Sequence, residues 1–207
     1  MKVKICGIMD VETALKAIES GADALGFVFA DSKRKINSDQ ARKIIKVIPD
    51  EILKVGVFVN EDPDVIRKIV NEAGINVIQL HGDESPEYCS QYSVPVIKAL
   101  SIESQEDLNQ ISQFSCDYYL LDSPKGKYRG GNGVTFDWNV LTGENLDGKK
   151  VILAGGLSID NVEQAIEITA PYMVDVSSGV ETDGKKDVNK IKIFINQAKK
   201  RSMHGIG

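Results

Sequence analysis

Apolar, strand-like runs and helical patterns alternate from end to end of this chain, eight of each, and that alternation leaves few ways to fold. The runs are nearly continuous in Val, Ile and Leu rather than alternately polar. A strand of that kind is buried on both faces, which is the signature of a parallel sheet covered by helices. Spread over 207 residues, each strand-helix unit takes about 26 residues. Eight such units predict a closed (β/α)₈ barrel, an α/β TIM-barrel fold in one domain spanning 1–207, near the small end of the usual size range. An open doubly wound sheet is the alternative. Such a sheet places its glycine-rich phosphate loop after the first strand. Here the first turn holds the single Gly7, and the glycine pairs come late.

The pattern predicts strands over Lys2–Cys6, Ala22–Phe29, Leu53–Val59, Asn76–Leu80, Pro95–Leu100, Asp117–Leu121, Lys150–Ala154 and Tyr172–Val176. Helices are expected over Asp10–Ser20, Ser38–Ile48, Pro63–Glu72, from Ser85-Pro86, over Ser104–Gln113, from about Trp138, and over Asp160–Thr169 and Asp187–Lys200. Gly21 stands where a glycine ends a helix, Ser38 reads as an N-cap, and Pro63 fits a first turn. The tail Arg201–Gly207 reads as frayed.

The formal net charge of −5 argues against general nucleic-acid binding, which needs a basic face. An anionic ligand must then be held by local groups. No apolar run reaches membrane-spanning length, and the first residues lack the apolar core of a secretion signal. The three cysteines include no Cys-x-x-Cys pair, which favours reduced thiols. A cytoplasmic protein with no membrane partner is expected, as a monomer or a homodimer. With only two histidines, His81 and His204, a histidine-rich metal site is not expected.

In barrels the loops after strands seven and eight frequently form a phosphate site. Here they carry Gly155 and Gly156, then Ser177, Ser178 and Gly179. Glycines let backbone N–H groups approach phosphate oxygens, and the serines add hydroxyl donors. Cys6 ends the first strand, on the face where barrel active sites lie. A lone cysteine is more often a small buried hydrophobe than a base. A basic role would need a cation nearby, and Lys4 lies two residues back on the same strand face. Pairing of Lys4 with a carboxylate such as Asp175 in the barrel floor reads equally well. Cys89 and Cys116 read as structural. Asp122 follows the sixth apolar run as either a turn residue or an acid. After it comes Ser123–Thr135, a loop with Gly126, Gly130, Gly131 and Gly133 among Lys125, Lys127 and Arg129. A loop that long in a compact barrel suits a lid over substrate. Arg34, in the loop after strand two, suits a carboxylate. Gln79 and Gly82 beside His81 favour a ligand-facing histidine over a core one.

Six motifs occur in order: Lys4-Ile5-Cys6-Gly7-Ile8, Gln79-Leu80-His81-Gly82, Leu121-Asp122, Gly130-Gly131-Asn132-Gly133 with Phe136-Asp137-Trp138, Leu153-Ala154-Gly155-Gly156-Leu157, and Val174-Asp175-Val176-Ser177-Ser178-Gly179-Val180-Glu181. Together they resemble the phosphoribosylanthranilate isomerases of tryptophan biosynthesis over essentially the whole chain. The resemblance implies an Amadori rearrangement of a phosphorylated small molecule, N-(5-phosphoribosyl)anthranilate, without metal or organic cofactor. It makes Asp122 the general acid and Cys6 the general base. It puts Arg34 against the anthranilate carboxylate and Gly156, Ser178 and Gly179 against the phosphate. It also lines the pocket with His81 and Asp175. Other phosphosugar isomerase or epimerase barrels, and a non-catalytic phosphate-binding barrel, are the competing readings. The first would bring several histidines or a paired-aspartate design. The second has no need of Cys6 and Asp122 together.

Overall fold

A computed structural model describes residues 1–122, 137–141, 146 and 148–200. The expected lid over Ser123–Thr135, the Gly130–Gly133 motif with Phe136, and the Arg201–Gly207 tail lie outside the described residues.

Eight parallel strands close into a barrel in simple sequence order. They are β1 (Lys2–Cys6), β2 (Ala24–Val28), β3 (Leu53–Phe58), β4 (Val77–Leu80), β5 (Val96–Ser101), β6 (Tyr118–Asp122), β7 (Val151–Leu153) and β8 (Met173–Val176). The α-helices are α1 (Val11–Glu19), α2 (Ser38–Ile45), α3 (Pro63–Ala73), α4 (Pro86–Cys89), α5 (Val162–Thr169) and α6 (Val188–Lys200). Two expected helices are 3₁₀ instead, over Gln105–Gln113 and Trp138–Leu141. The α2 cap also differs from expectation. Asn37 is the cap, and it exchanges hydrogen bonds with Gln40 in a capping box, while Ser38 donates to Glu72. Beyond β8, the short strands β9 (Glu181–Thr182) and β10 (Lys185–Lys186) form an antiparallel hairpin.

Alternate residues of each strand face opposite ways, and two apolar layers result. Val55, Val77, Ile97, Leu120, Ile152 and Met173 fill the barrel. Residues of opposite parity, such as Ile5, Leu25, Phe27, Phe58 and Leu80, pack outward against Ala14, Ile44, Ile66, Ile191 and Phe194 of the helices. Lys98 belongs to the outward set of β5 yet is buried, and its charge is met by Glu84 at 2.8 Å. Glu84 also accepts from the backbone N–H groups of Asn60 and Gly82. One carboxylate thus ties the loops after β3 and β4 to β5.

At the N-terminal rim a repeated device fastens the strands in pairs. Asp23, immediately before β2, accepts the N–H of Val3 in β1 at 2.9 Å. Asn76, before β4, accepts that of Lys54 in β3 at 2.8 Å, and Asp117, before β6, that of Val96 in β5 at 2.9 Å. Two of these residues return a backbone bond, from Asp23 to Val3 and from Asn76 to Lys54. Asn76 and Asp117 therefore precede their strands rather than opening them. Replacing Asn76 or Asp117 by Ala is expected to cost about 1–2 kcal/mol of stability in urea unfolding. Ligand binding at the opposite rim should be unaffected. A variant as stable as the parent would show that water takes over the clasp.

Candidate active site

The C-terminal rim gathers every expected site residue around one cavity of about 320 Å³. Cys6, Arg34, His81, Asp122, Gly155, Gly156, Asp175, Ser177, Ser178 and Gly179 all line it. Cys6 and Asp122 are the last residues of β1 and β6, so rigid strands rather than loops aim their side chains. A larger cleft of about 750 Å³ adjoins across His81, over β4 and β5. Its buried charges, Lys98 and Glu84, are already paired with each other. Among the described residues, no group of three or more His, Cys, Asp or Glu is placed to hold a metal ion. No helix among them is long and apolar enough to cross a membrane.

The two late loops meet at glycine. Gly155 and Gly156 both have positive φ, +82° and +67°, which side-chain-bearing residues rarely adopt. At Gly179 a Cβ would stand 1.9 Å from the carbonyl oxygen of Leu157, so only glycine lets the loops after β7 and β8 touch. The hydroxyl of Ser177 is engaged inside the protein, donating to the Cys6 carbonyl and accepting from Lys186.

Beneath Cys6, the register of β1 on β8 places Lys4 opposite Asp175. Their side chains pair at 2.9 Å, with Lys4 wholly buried. The charge of Lys4 also pulls the Cys6 thiol pKa down, so pairing with Asp175 does not remove it as a cationic neighbour of Cys6. Burial lowers the affinity of Lys4 for its proton, but Asp175 and Cys6 outweigh that and hold it charged. For Cys6 burial dominates and raises the thiol pKa, while Lys4 and Lys186 pull it down.

The Arg34 guanidinium makes a bidentate pair with Glu181, Nε to Oε1 at 2.6 Å and Nη2 to Oε2 at 3.0 Å. Glu181 is shared with Lys186, whose Nζ lies 2.7 Å from Oε1 and also donates to the Ser177 carbonyl. Arg34 therefore already holds a carboxylate of the chain itself. Glu181 and Lys186 were absent from the residues expected in the site. The signal for them is local: Asp183-Gly184 between two short polar segments is a hairpin turn, and it brings Lys186 back beside Glu181. On the opposite wall, His81 Nε2 lies 3.5 Å from Asp122 Oδ2, and its Nδ1 lies 2.9 Å from the Gln79 amide nitrogen.

Burial works against the Glu181 charge, but Arg34 and Lys186 prevail and bring its pKa from 4.5 to about 2. A depressed carboxylate pKa contributes stability above the ordinary value that is lost as pH falls through the depressed one. At about 1.4 kcal/mol per pKa unit, the contribution is on the order of 3 kcal/mol. The stability difference between the parent and Glu181→Gln should therefore be largest above about pH 5 and shrink toward pH 2 in denaturant titrations. A gap independent of pH would show that Glu181 is not held ionised.

Comparison with known proteins points one way. The family model described as N-(5'-phosphoribosyl)anthranilate (PRA) isomerase matches residues 3–197. A protein of Bacillus cereus strain B4264 named N-(5'-phosphoribosyl)anthranilate isomerase is 55% identical over 203 residues, 98% of this chain and 100% of that one. The crystal structure of phosphoribosyl anthranilate isomerase from Thermotoga maritima superposes with a TM-score of 0.89 at 41% identity, covering 97% of this chain and 99% of the other. A further structure, of phosphoribosyl anthranilate isomerase in complex with reduced 1-(o-carboxyphenylamino)-1-deoxyribulose 5-phosphate, gives 0.85 at 40% identity, with coverage of 97% and 99%. Matched along nearly its whole length in sequence and in fold, this chain belongs to the N-(5'-phosphoribosyl)anthranilate isomerase family.

Proposed function

We propose that the protein converts N-(5-phosphoribosyl)anthranilate to 1-(2-carboxyphenylamino)-1-deoxyribulose 5-phosphate, with Asp122 as general acid and Cys6 as general base. The observation that carries this reading is one cavity with a thiol on β1, a carboxylate on β6 and paired glycine loops after β7 and β8. Gly155, Gly156, Ser178 and Gly179 supply bare backbone and a hydroxyl for the phosphate, with Ser177 bracing them from beneath. Arg34 takes the anthranilate carboxylate. Two of its nitrogens are committed to Glu181, which fixes the plane of the guanidinium and leaves Nη1 for the ligand.

The chemistry then runs in two proton transfers at Asp122 and Cys6 and a closing tautomerisation. Asp122 gives its proton to the furanose ring oxygen as the C1–O bond breaks. The anthranilate nitrogen lone pair forms the C1=N bond, so an iminium results. The Cys6 thiolate removes the proton from C2, and the C2–H electrons form a C1=C2 bond while the iminium π pair returns to nitrogen. The enolamine so formed tautomerises to the ketone, losing the proton on its C2 oxygen and gaining one at C1. The iminium is itself the electron sink, so the residues present suffice for the chemistry.

The Cys6→Ala and Asp122→Ala variants should each lower turnover by about 10²-fold or more, with the affinity for a reduced product analogue little changed. Loss of anthranilate-substrate fluorescence measures the rate. Near-normal turnover in Cys6→Ala would remove the assigned base. Lys186 lowers the Cys6 pKa, so Lys186→Gln takes that help away. A base of higher pKa is deprotonated only at higher pH, so the acid limb of kcat/KM against pH should move upward in that variant. A limb that stays in place, or moves down, would separate Lys186 from the base.

A further inference from the structure

We infer that Gln79 is a positioning residue that fixes the protonation of His81, so that His81 presents its Nε2 proton to Asp122. The inference rests on the proposed role of Asp122, and it adds a second layer to it. Gln79 is the third residue of β4 and His81 the first residue after that strand, so both face the barrel interior. Gln79 is 1% exposed, whereas His81 stands at the cavity wall.

The chain of contacts can be followed from the carboxylate inward. His81 Nε2 faces Asp122 Oδ2 at 3.5 Å, so whatever sets the proton on the ring sets what Asp122 meets. A neutral imidazole with its proton on Nε2 has a bare lone pair on Nδ1. Nδ1 lies 2.9 Å from the Gln79 amide nitrogen, a donor that can never accept. The Gln79 contact therefore specifies the tautomer, and the Nε2 proton it leaves is turned toward Asp122. The His81 backbone N–H, bonded to the Phe58 carbonyl at 2.9 Å, holds the residue at the strand end while the ring is set.

A second observation concerns the other half of the Gln79 amide. Its Oε1 is buried and has no hydrogen-bond partner among the described residues. An unpaired buried acceptor is destabilising. An apolar side chain, like the neighbouring inward Val77 and Ile97, would avoid that cost. Of the two ends of the amide, the nitrogen is the one engaged, and it meets His81. For a group acting as an acid, a donor on one of its oxygens selects which oxygen carries the transferable proton.

Two variants test this. Gln79→Glu keeps the length and shape but replaces the donor by an acceptor, which calls for a proton on Nδ1. Gln79→Met keeps the length and removes the donor. The chain has only two histidines, so ¹⁵N-histidine labelling gives two imidazoles, and a His204→Gln sample identifies His81. The parent should show a pyridine-type shift at Nδ1 and a pyrrole-type shift at Nε2. Gln79→Glu should move the proton to Nδ1 or yield the imidazolium, and lower kcat by about tenfold with KM within about twofold. Gln79→Met should give mixed tautomers, with kcat between those of the parent and Gln79→Glu. A pyrrole-type Nδ1 in the parent overturns the inference, as does a folded Gln79→Glu protein with unchanged spectra and kcat. Failure of the Asp122 assignment is read separately. It would appear as retained turnover in Asp122→Ala, while the tautomer measurement would stand.

Discussion

The seam between β1 and β8 is the constraint on which the rest of the structure depends. It joins residues about 170 positions apart in the chain, and it closes the sheet. Its register sets Lys4 against Asp175, and the two side chains satisfy each other inside the barrel. A one-residue slip of β1 would turn Lys4 into the apolar outer layer and leave Asp175 without its partner inside the barrel. The ion pair thus selects the register, and the register delivers the site. It puts the carbonyl of Cys6 beneath the hydroxyl of Ser177, and it brings the hairpin after β8 over the end of β1.

Around that seam, burial and charge oppose each other. A thiol withdrawn from water keeps its proton, and that effect leads at Cys6 in the ligand-free protein. The neighbouring buried or half-buried charges tilt the other way. Lys4, Lys186 and Arg34 are cations, and Asp175 and Glu181 are anions, so the set carries one positive charge in excess. A thiolate at Cys6 would bring it to neutrality. An incoming iminium, formed beside the thiol, would add to the same pull. Cys6 is then a base whose basic form is favoured by the reaction under way rather than by the resting site.

Much of this was legible in the chain because it is periodic or local. Continuous apolar runs between helical patterns specified the closed barrel. Glycine pairs after the seventh and eighth runs marked the rim where loops touch, and Cys6 and Asp122 each end a strand that the pattern located. What was not legible depends on pairing across long stretches of sequence. Lys98 sits in an apolar run and faces outward, and Glu84 and the Gly82 carbonyl, arriving on the preceding loop, make it tolerable there. Nothing near Arg34 shows that Glu181, 147 residues on, will hold it. The Asn37 capping box was readable, since Asn-x-x-Gln is its local signature, but the neighbouring Ser38 is an equally good cap by residue type. Asp23, Asn76 and Asp117 fall within or open the expected strands, and nothing local shows that the closed barrel gives each an N–H to receive.

Those three residues mark an asymmetry. Each precedes an even-numbered strand and clasps the odd-numbered strand before it. The equivalent position before β8 is Tyr172, whose backbone N–H bonds Val151 but whose ring lies near Tyr118 and Lys2 instead. The β7–β8 ladder is also short, with only two paired positions. The quarter of the barrel that carries the glycine loops is therefore the one assembled without a side-chain clasp of this kind. On the proposed reading, a phosphate gripped by both loops would bridge that quarter from the opposite rim. Substrate would then act as a structural member as well as a reactant, and resistance to unfolding would rise with occupancy.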